Sequence, residues 1–242
     1  MTKKHPFEKP ADYEYGRDLV ALAKEIGRII KRYNVTDLVS FGPLKEALDK
    51  YSELIGPWAK ARAERFIQKA ERIDKRTWTS ATRGMSVEIR RVINETPTGQ
   101  TVQELINDQV SLIKSLPRDA AERVQRLAIE NVEKGGRFKS ILDEIARSGE
   151  VTASRAKTIA RTETSRASAT LTQVRAQKIG SEGYIWRTAK DGDVRKSHKK
   201  MEGKFVRWDT PPTLDGMTGH AGCLPNCRCF AEPVIPRELF DE

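Results

Sequence analysis

The chain has 242 residues, 38% of them apolar and 32% charged, and carries a formal net charge of +10. That balance is too polar for a compact all-β enzyme and suits an elongated helical protein with much exposed surface. No apolar run approaches the roughly 18 residues of a membrane span, and the opening Met1-Thr-Lys-Lys-His-Pro has no apolar secretory core, so the expected setting is a cytoplasm without a membrane partner.

In chain order, Leu19, Leu22, Ala23, Ile26, Ile29, Ile30 and Tyr33 fall on one stripe at helical spacing. Pro43 is expected to open a second helix with Leu44, Ala47, Leu48, Tyr51 and Leu54 inward, and Pro57 a third carrying Trp58, Ala61, Arg65, Phe66, Ala70 and Ile73. A weaker stretch spans Met85 to Ile93. After Pro97-Thr-Gly, Thr101 and Glu104 have capping-box spacing ahead of Leu105, Ile106, Val110, Ile113 and Leu116. Pro117 is then expected to start a helix that stops at Gly135-Gly136. A short helix follows on Phe138, Ile141, Leu142 and Ile145. Thr152 is the expected N-cap of a long one closed by Gly180. Seven or eight helices therefore precede the first strand signal, which makes the bulk all-α.

Beyond Gly180 the texture changes. Tyr184-Ile-Trp-Arg-Thr alternates as a strand, Lys190-Asp-Gly-Asp is a turn, and Lys204-Phe-Val-Arg-Trp is a second strand candidate. Residues 209–226 read as a long irregular loop that needs a tether or a function. A last strand over Phe230 to Ile235 contains Pro233 and is expected at an edge. The expected architecture is mainly α: a multi-helix region over 1–150, then a small α+β module over 151–242.

Charge is unevenly placed. Residues 151–207 hold 14 basic against 5 acidic side chains, while residues 208–242 hold 2 against 6. The basic excess, on the long helix that carries Arg155, Lys157, Arg166, Arg175 and Lys178, suits either a solvated face or double-stranded DNA bound without sequence preference.

Three groups in this module carry chemical meaning. In Ala160-Arg161-Thr162-Glu163-Thr164, Glu163 shares an apolar helix face with Ile159, Ala160, Ala167 and Val174, so its carboxylate needs a partner, such as an Arg or a Trp N–H from the β region. In Asp191-Gly-Asp-Val-Arg195-Lys-Ser-His198, the two aspartates precede a short helix on which Arg195 and His198 share a face. In His220-Ala-Gly-Cys223-Leu-Pro-Asn-Cys227-Arg-Cys229, close thiols with imidazoles nearby are what a tetrahedral Zn²⁺ site uses. His198, His220, Cys223, Cys227 and Cys229 are five candidate ligands, one more than a closed site needs. A small β unit gains from such a staple; the plain alternative is three buried thiols. An odd cysteine count within seven residues argues against a disulfide scaffold.

Taken in order, Ala156-Lys-Thr-Ile-Ala-Arg-Thr-Glu-Thr164, Trp186-Arg-Thr-Ala-Lys-Asp191, Asp193-Val-Arg195-Lys-Ser-His198-Lys-Lys-Met-Glu-Gly203 and Pro225-Asn-Cys-Arg-Cys-Phe-Ala-Glu-Pro233 resemble the Mu F-like head-morphogenesis family of tailed phages. The resemblance covers roughly 117–235. It implies a minor capsid protein, not an enzyme, that associates with the portal and with capsid or scaffold proteins during procapsid assembly. It also implies contact with packaged DNA and a place in the phage head interior after assembly in the host cytoplasm. Arg161, Glu163, Arg195, His198, Cys227 and Cys229 correspond to the family's motif positions, as a structural cluster and not an active site. Some relatives carry a toxin domain after this module; here the chain is expected to have none. The competing reading is a metal-dependent nuclease or transferase using His198 and Glu163, with Asp191 or Asp193 beside His198. A zinc-stapled DNA-binding regulator ranks below both, because no recognition helix is signalled.

Overall fold

A computed structural model of the chain describes residues 13–33, 38–96, 98–134 and 141–239. Six long helices come first: α1 (Tyr13–Arg32), α2 (Leu38–Leu54), α3 (Gly56–Ala81), α4 (Val87–Glu95), α5 (Gly99–Glu133) and α6 (Leu142–Lys178). Then come β1 (Gly183–Arg187), the short α7 (Lys196–Lys199), β2 (Phe205–Arg207), β3 (Thr213–Leu214), β4 (Met217–Thr218), β5 (Phe230–Pro233) and a 3₁₀ turn, Arg237–Leu239. The mainly α chain with a small strand-bearing C-terminal module is the architecture expected. Among the described residues no helix is long and apolar enough to cross a membrane.

Several boundaries differ from expectation. Pro43 and Pro117 do not start helices but lie inside α2 and α5. Each proline removes one backbone bond, yet Ile113, Leu116, Ala120 and Ala121 are buried around the second, and that burial outweighs the break. Thr101 lies within α5 and is no cap. Thr152 lies within α6, where its hydroxyl donates to the Ser148 carbonyl at 2.7 Å, so the short helix near Ile145 and the long one are continuous. Leu54 is 68% exposed, not inward. Gly135-Gly136 and Phe138 lie outside the described residues. Gly180 does close α6: at φ +80° it occupies the left-handed position of a Schellman cap. There the Ser181 N–H donates to the Ala176 carbonyl and the Gly180 N–H to that of Gln177.

Residues Tyr13–Glu64 and Ile106–Ala160 form one compact unit. Its core is aliphatic, with Leu19, Ile26, Leu44, Leu48, Ile113 and Leu116 fully buried. Tyr15 adds a hydroxyl bond to Gln109 at 2.7 Å. Gly27 on α1 meets Gly149 on α6 so closely that a Cβ at 149 would lie 2.7 Å from the Gly27 Cα.

Residues Arg65–Leu105 and Arg161–Glu242 form the second unit. A three-stranded antiparallel sheet, order β2-β1-β5, pairs Tyr184 with Val206 and Trp186 with Ala231. The edge position of β5, which ends in Pro233, agrees with expectation. Inside the loop read as irregular sits a hairpin, β3 with β4, turning on Asp215 (φ +53°) and Gly216 (φ +77°). Two successive positive φ angles on Asp-Gly are what a two-residue hairpin requires. Trp78, Met85, Ile93, Ala176, Tyr184, Trp186, Trp208 and Leu224 pack into one buried cluster with Cys227 and Cys229. Beside it, Arg175 donates to Asp74 at 2.9 Å, to Glu71 at 2.7 Å and to the Ile93 carbonyl at 2.6 Å, while the Thr172 hydroxyl donates to Asp74 at 2.7 Å.

Candidate metal centre

His198 is set by the short α7, with Arg195 as its N-cap. Cys227 and Cys229 flank Arg228 just before β5, whose Phe230 and Ala231 pair with Arg187 and Trp186. The His198 Nδ1 lies 3.4 Å from the Cys227 sulfur and 3.6 Å from that of Cys229. One ligand atom from each of the three residues falls within a 4.8 Å span, and all three residues are buried, so they lie close enough to hold a metal ion. Trp186 stacks edge-on against the imidazole at 5.6 Å.

The loop reaches α6 by a close approach. The Asn226 N–H donates to the Thr162 hydroxyl at 3.0 Å. Gly222, at φ +88°, lies where a Cβ would stand 3.0 Å from the Cys229 carbonyl and 3.3 Å from that of Ser165, so only glycine lets the segment down onto the helix. The two thiols are coupled. A hydrogen bond from Cys229 lowers Cys227, helped by the Gly222 and Cys229 backbone N–H groups and by His198, against burial. The same bond and burial raise Cys229. The pair therefore gives up a first proton readily and holds the second, as coupled sites do.

A cavity of about 280 Å³ adjoins the cluster, lined by Arg161, Asp193, Arg195 and Arg228 together with His198 and the two cysteines. Arg195 donates to the Pro225 carbonyl at 2.7 Å. Arg228 pairs with Asp191 at 2.7 Å and Asp193 at 3.3 Å.

Residues 122–232 match the family model described as Phage Mu protein F like protein. This stretch, a little under half of the chain, is similar to the Mu F-like family. A protein of Haemophilus influenzae described as uncharacterized is 32% identical over 136 residues, which is 56% of this chain and 30% of that relative. The chain thus spans under a third of the relative's length. No solved structure matches.

Within the matched stretch the five candidate ligands separate. His198, Cys227 and Cys229 come together, whereas His220 and Cys223 are not in their cluster. The His220 Nε2–H donates to the Trp208 carbonyl at 3.1 Å and its Nδ1 accepts from the Tyr184 hydroxyl at 3.2 Å. Both ring nitrogens are therefore occupied, and burial lowers the pKa of the ring, which favours the neutral form. Burial pushes the Cys223 thiol up to about 11. Glu163 is buried with Arg166 at 3.8 Å, one turn along its own helix.

Of the basic residues expected on a DNA-facing surface, Lys157 and Lys178 are exposed, Arg166 is half-buried, and Arg155 pairs with Asp119. Arg175 is a correction: it is 1% exposed and committed to Asp74 and Glu71, so it cannot meet a phosphate. Its register gives the signal. It follows the buried Ser168 and Leu171 at i+7 and i+4, which places it on the inner face of α6. Trp186, Tyr184, Trp208 and Arg228 were not singled out as site residues. Of these, only Arg228, between the two cysteines, carries a local sequence signal.

Proposed function

We propose that the chain is a phage head-morphogenesis protein whose C-terminal module is closed by zinc. The Mu F-like match over residues 122–232 carries the assembly reading. The helices of 1–150 would supply a docking surface for portal and capsid or scaffold proteins, with exposed Leu54, Val87 and Ile129 as apolar contacts; the module of 151–242 would be the clasp. Co-precipitation with the neighbouring portal protein tests this. Its loss on Leu54→Asp or Val87→Asp supports the reading, and its absence with the intact chain counts against it. In this reading the protein resides in the head interior after assembly in the host cytoplasm.

Zinc is supported by distance. With Zn–S near 2.3 Å and Zn–N near 2.0 Å, a tetrahedral angle sets sulfur and nitrogen about 3.5 Å apart, and the two separations here are 3.4 and 3.6 Å. Zinc would compete with protons for the two sulfurs, so affinity falls as pH falls. Near-stoichiometric zinc in chelator-free protein, lost in Cys227→Ser, is the expected result; less than about 0.2 zinc per chain would leave plain buried thiols.

DNA contact would run through Arg155, Lys157, Arg166 and Lys178, without Arg175. Binding should be weak, indifferent to sequence and steeply salt-dependent. No binding at about 20 mM salt would remove it.

One observation favours a second reading. Three protein ligands leave one coordination position for water, as in catalytic zinc sites. Against a nuclease or transferase, Glu163 sits beside Arg166 and does not line the cavity next to His198. Plasmid nicking that depends on added metal and disappears in His198→Ala would favour the enzyme.

A further inference from the structure

The cavity beside the three candidate ligands has a cationic wall that neither assembly nor a metal staple explains. Arg228 is neutralised by Asp191 and Asp193, which leaves Arg161 and Arg195 to supply the positive field. Arg195 spends Nη2 on the Pro225 carbonyl, while its Nη1 is buried without a hydrogen-bond partner among the described residues. His198 turns Nδ1 to the sulfurs, and its Nε2 is likewise buried without a partner among them. Buried donors are costly unless an acceptor arrives, and a histidine holding a metal through one nitrogen normally donates from the other.

We propose that this cavity is an anion site that takes a phosphate group. Two guanidinium groups, joined by an imidazole N–H when the proposed metal takes Nδ1, converge from several directions and suit the several oxygens of a tetrahedral dianion better than one planar carboxylate. The volume of about 280 Å³ holds such a group with water around it. The phosphate could be inorganic or belong to a nucleic-acid strand, and both offer the same chemistry. The site stands independently of the portal-docking reading.

The test is calorimetric titration of the full chain at low ionic strength. Probes are inorganic phosphate, acetate, and tetrathymidylate with and without a 5′-phosphate. Saturable phosphate binding is expected, weakened about tenfold in Arg161→Gln and in Arg195→Gln. Lys60→Gln, on α3 and outside the cavity, should leave it unchanged, and Arg161→Lys should retain part of the affinity. Arg161 is exposed, so its variants keep the fold, as circular dichroism would verify. Competition by the 5′-phosphorylated strand alone assigns the site to a strand end. Competition by both strands assigns it to internal phosphates, and by neither to free phosphate. No saturation up to about 20 mM phosphate, unchanged affinity in both glutamine variants, or equal affinity for acetate would overturn the proposal.

Discussion

The unit of Tyr13–Glu64 and Ile106–Ala160 is filled by aliphatic side chains repeating at helical intervals. The unit of Arg65–Leu105 and Arg161–Glu242 is filled by three tryptophans, a tyrosine and two cysteines, with a buried charge network at its side. Stability in the first is spread over many similar contacts, any one of which can be trimmed at moderate cost. In the second, aromatic rings pack with aliphatic side chains beside the buried Arg175–Asp74 pair, so a single change there can also leave a buried polar group without its partner.

The sharpest way to break this contrast is Asp74→Ala. Arg175 would keep its burial and its Glu71 contact but lose the fully buried carboxylate, and the Thr172 hydroxyl would lose its acceptor, at about 3 kcal/mol. Urea unfolding followed by tryptophan fluorescence reads it directly, since Trp78, Trp186 and Trp208 are three of the four tryptophans and all lie in that unit. A loss below about 1 kcal/mol would mean the network is dispensable. Next in size is Gly149→Ala, expected to cost about 1–3 kcal/mol because the added carbon meets the Gly27 backbone. Gly16→Ala in α1, whose Cβ would make an ordinary contact with the Ala160 side chain at 3.5 Å, should instead stabilise by up to about 1 kcal/mol. Thermal midpoints moving in opposite directions are the expected result, and two shifts of the same sign would refute the close-contact account.

The smallest effect concerns acid. Burial raises the Glu202 pKa, but the Thr188 hydroxyl and N–H donate to its carboxylate and, with Lys190 and Arg187 nearby, hold it below its ordinary value. Its contribution is complete above the unfolded carboxylate pKa and is lost as pH falls through the folded one. Glu202→Gln should therefore lower stability near neutrality and flatten the decline on acidification. Parallel pH profiles for the two proteins would remove Glu202 from the account.

The same contrast explains what could be read from the residues alone. Stripes such as Leu19, Leu22, Ala23, Ile26 and Ile30 announce a helix and its inner face, and these are buried. Helix ends were less legible, because Pro43 and Pro117 are overruled by packing that no local rule contains. At the site, spacing nominated five metal ligands, and only partners distant in sequence reduce them to three. What takes His220 away is the Tyr184 hydroxyl and the Trp208 carbonyl. Asp74 and Arg175 are 101 residues apart, so their pairing left no local trace. Asp215-Gly216 did carry a turn signal, masked by the polar stretch around it.

Gly222 joins two tasks at one position. Its bare backbone lets the cysteine segment rest on α6, and its N–H supports the Cys227 sulfur. A methyl group there would tilt the segment while leaving sheet and helices intact. If the cluster holds the proposed zinc, damage at this residue should appear first as reduced metal uptake.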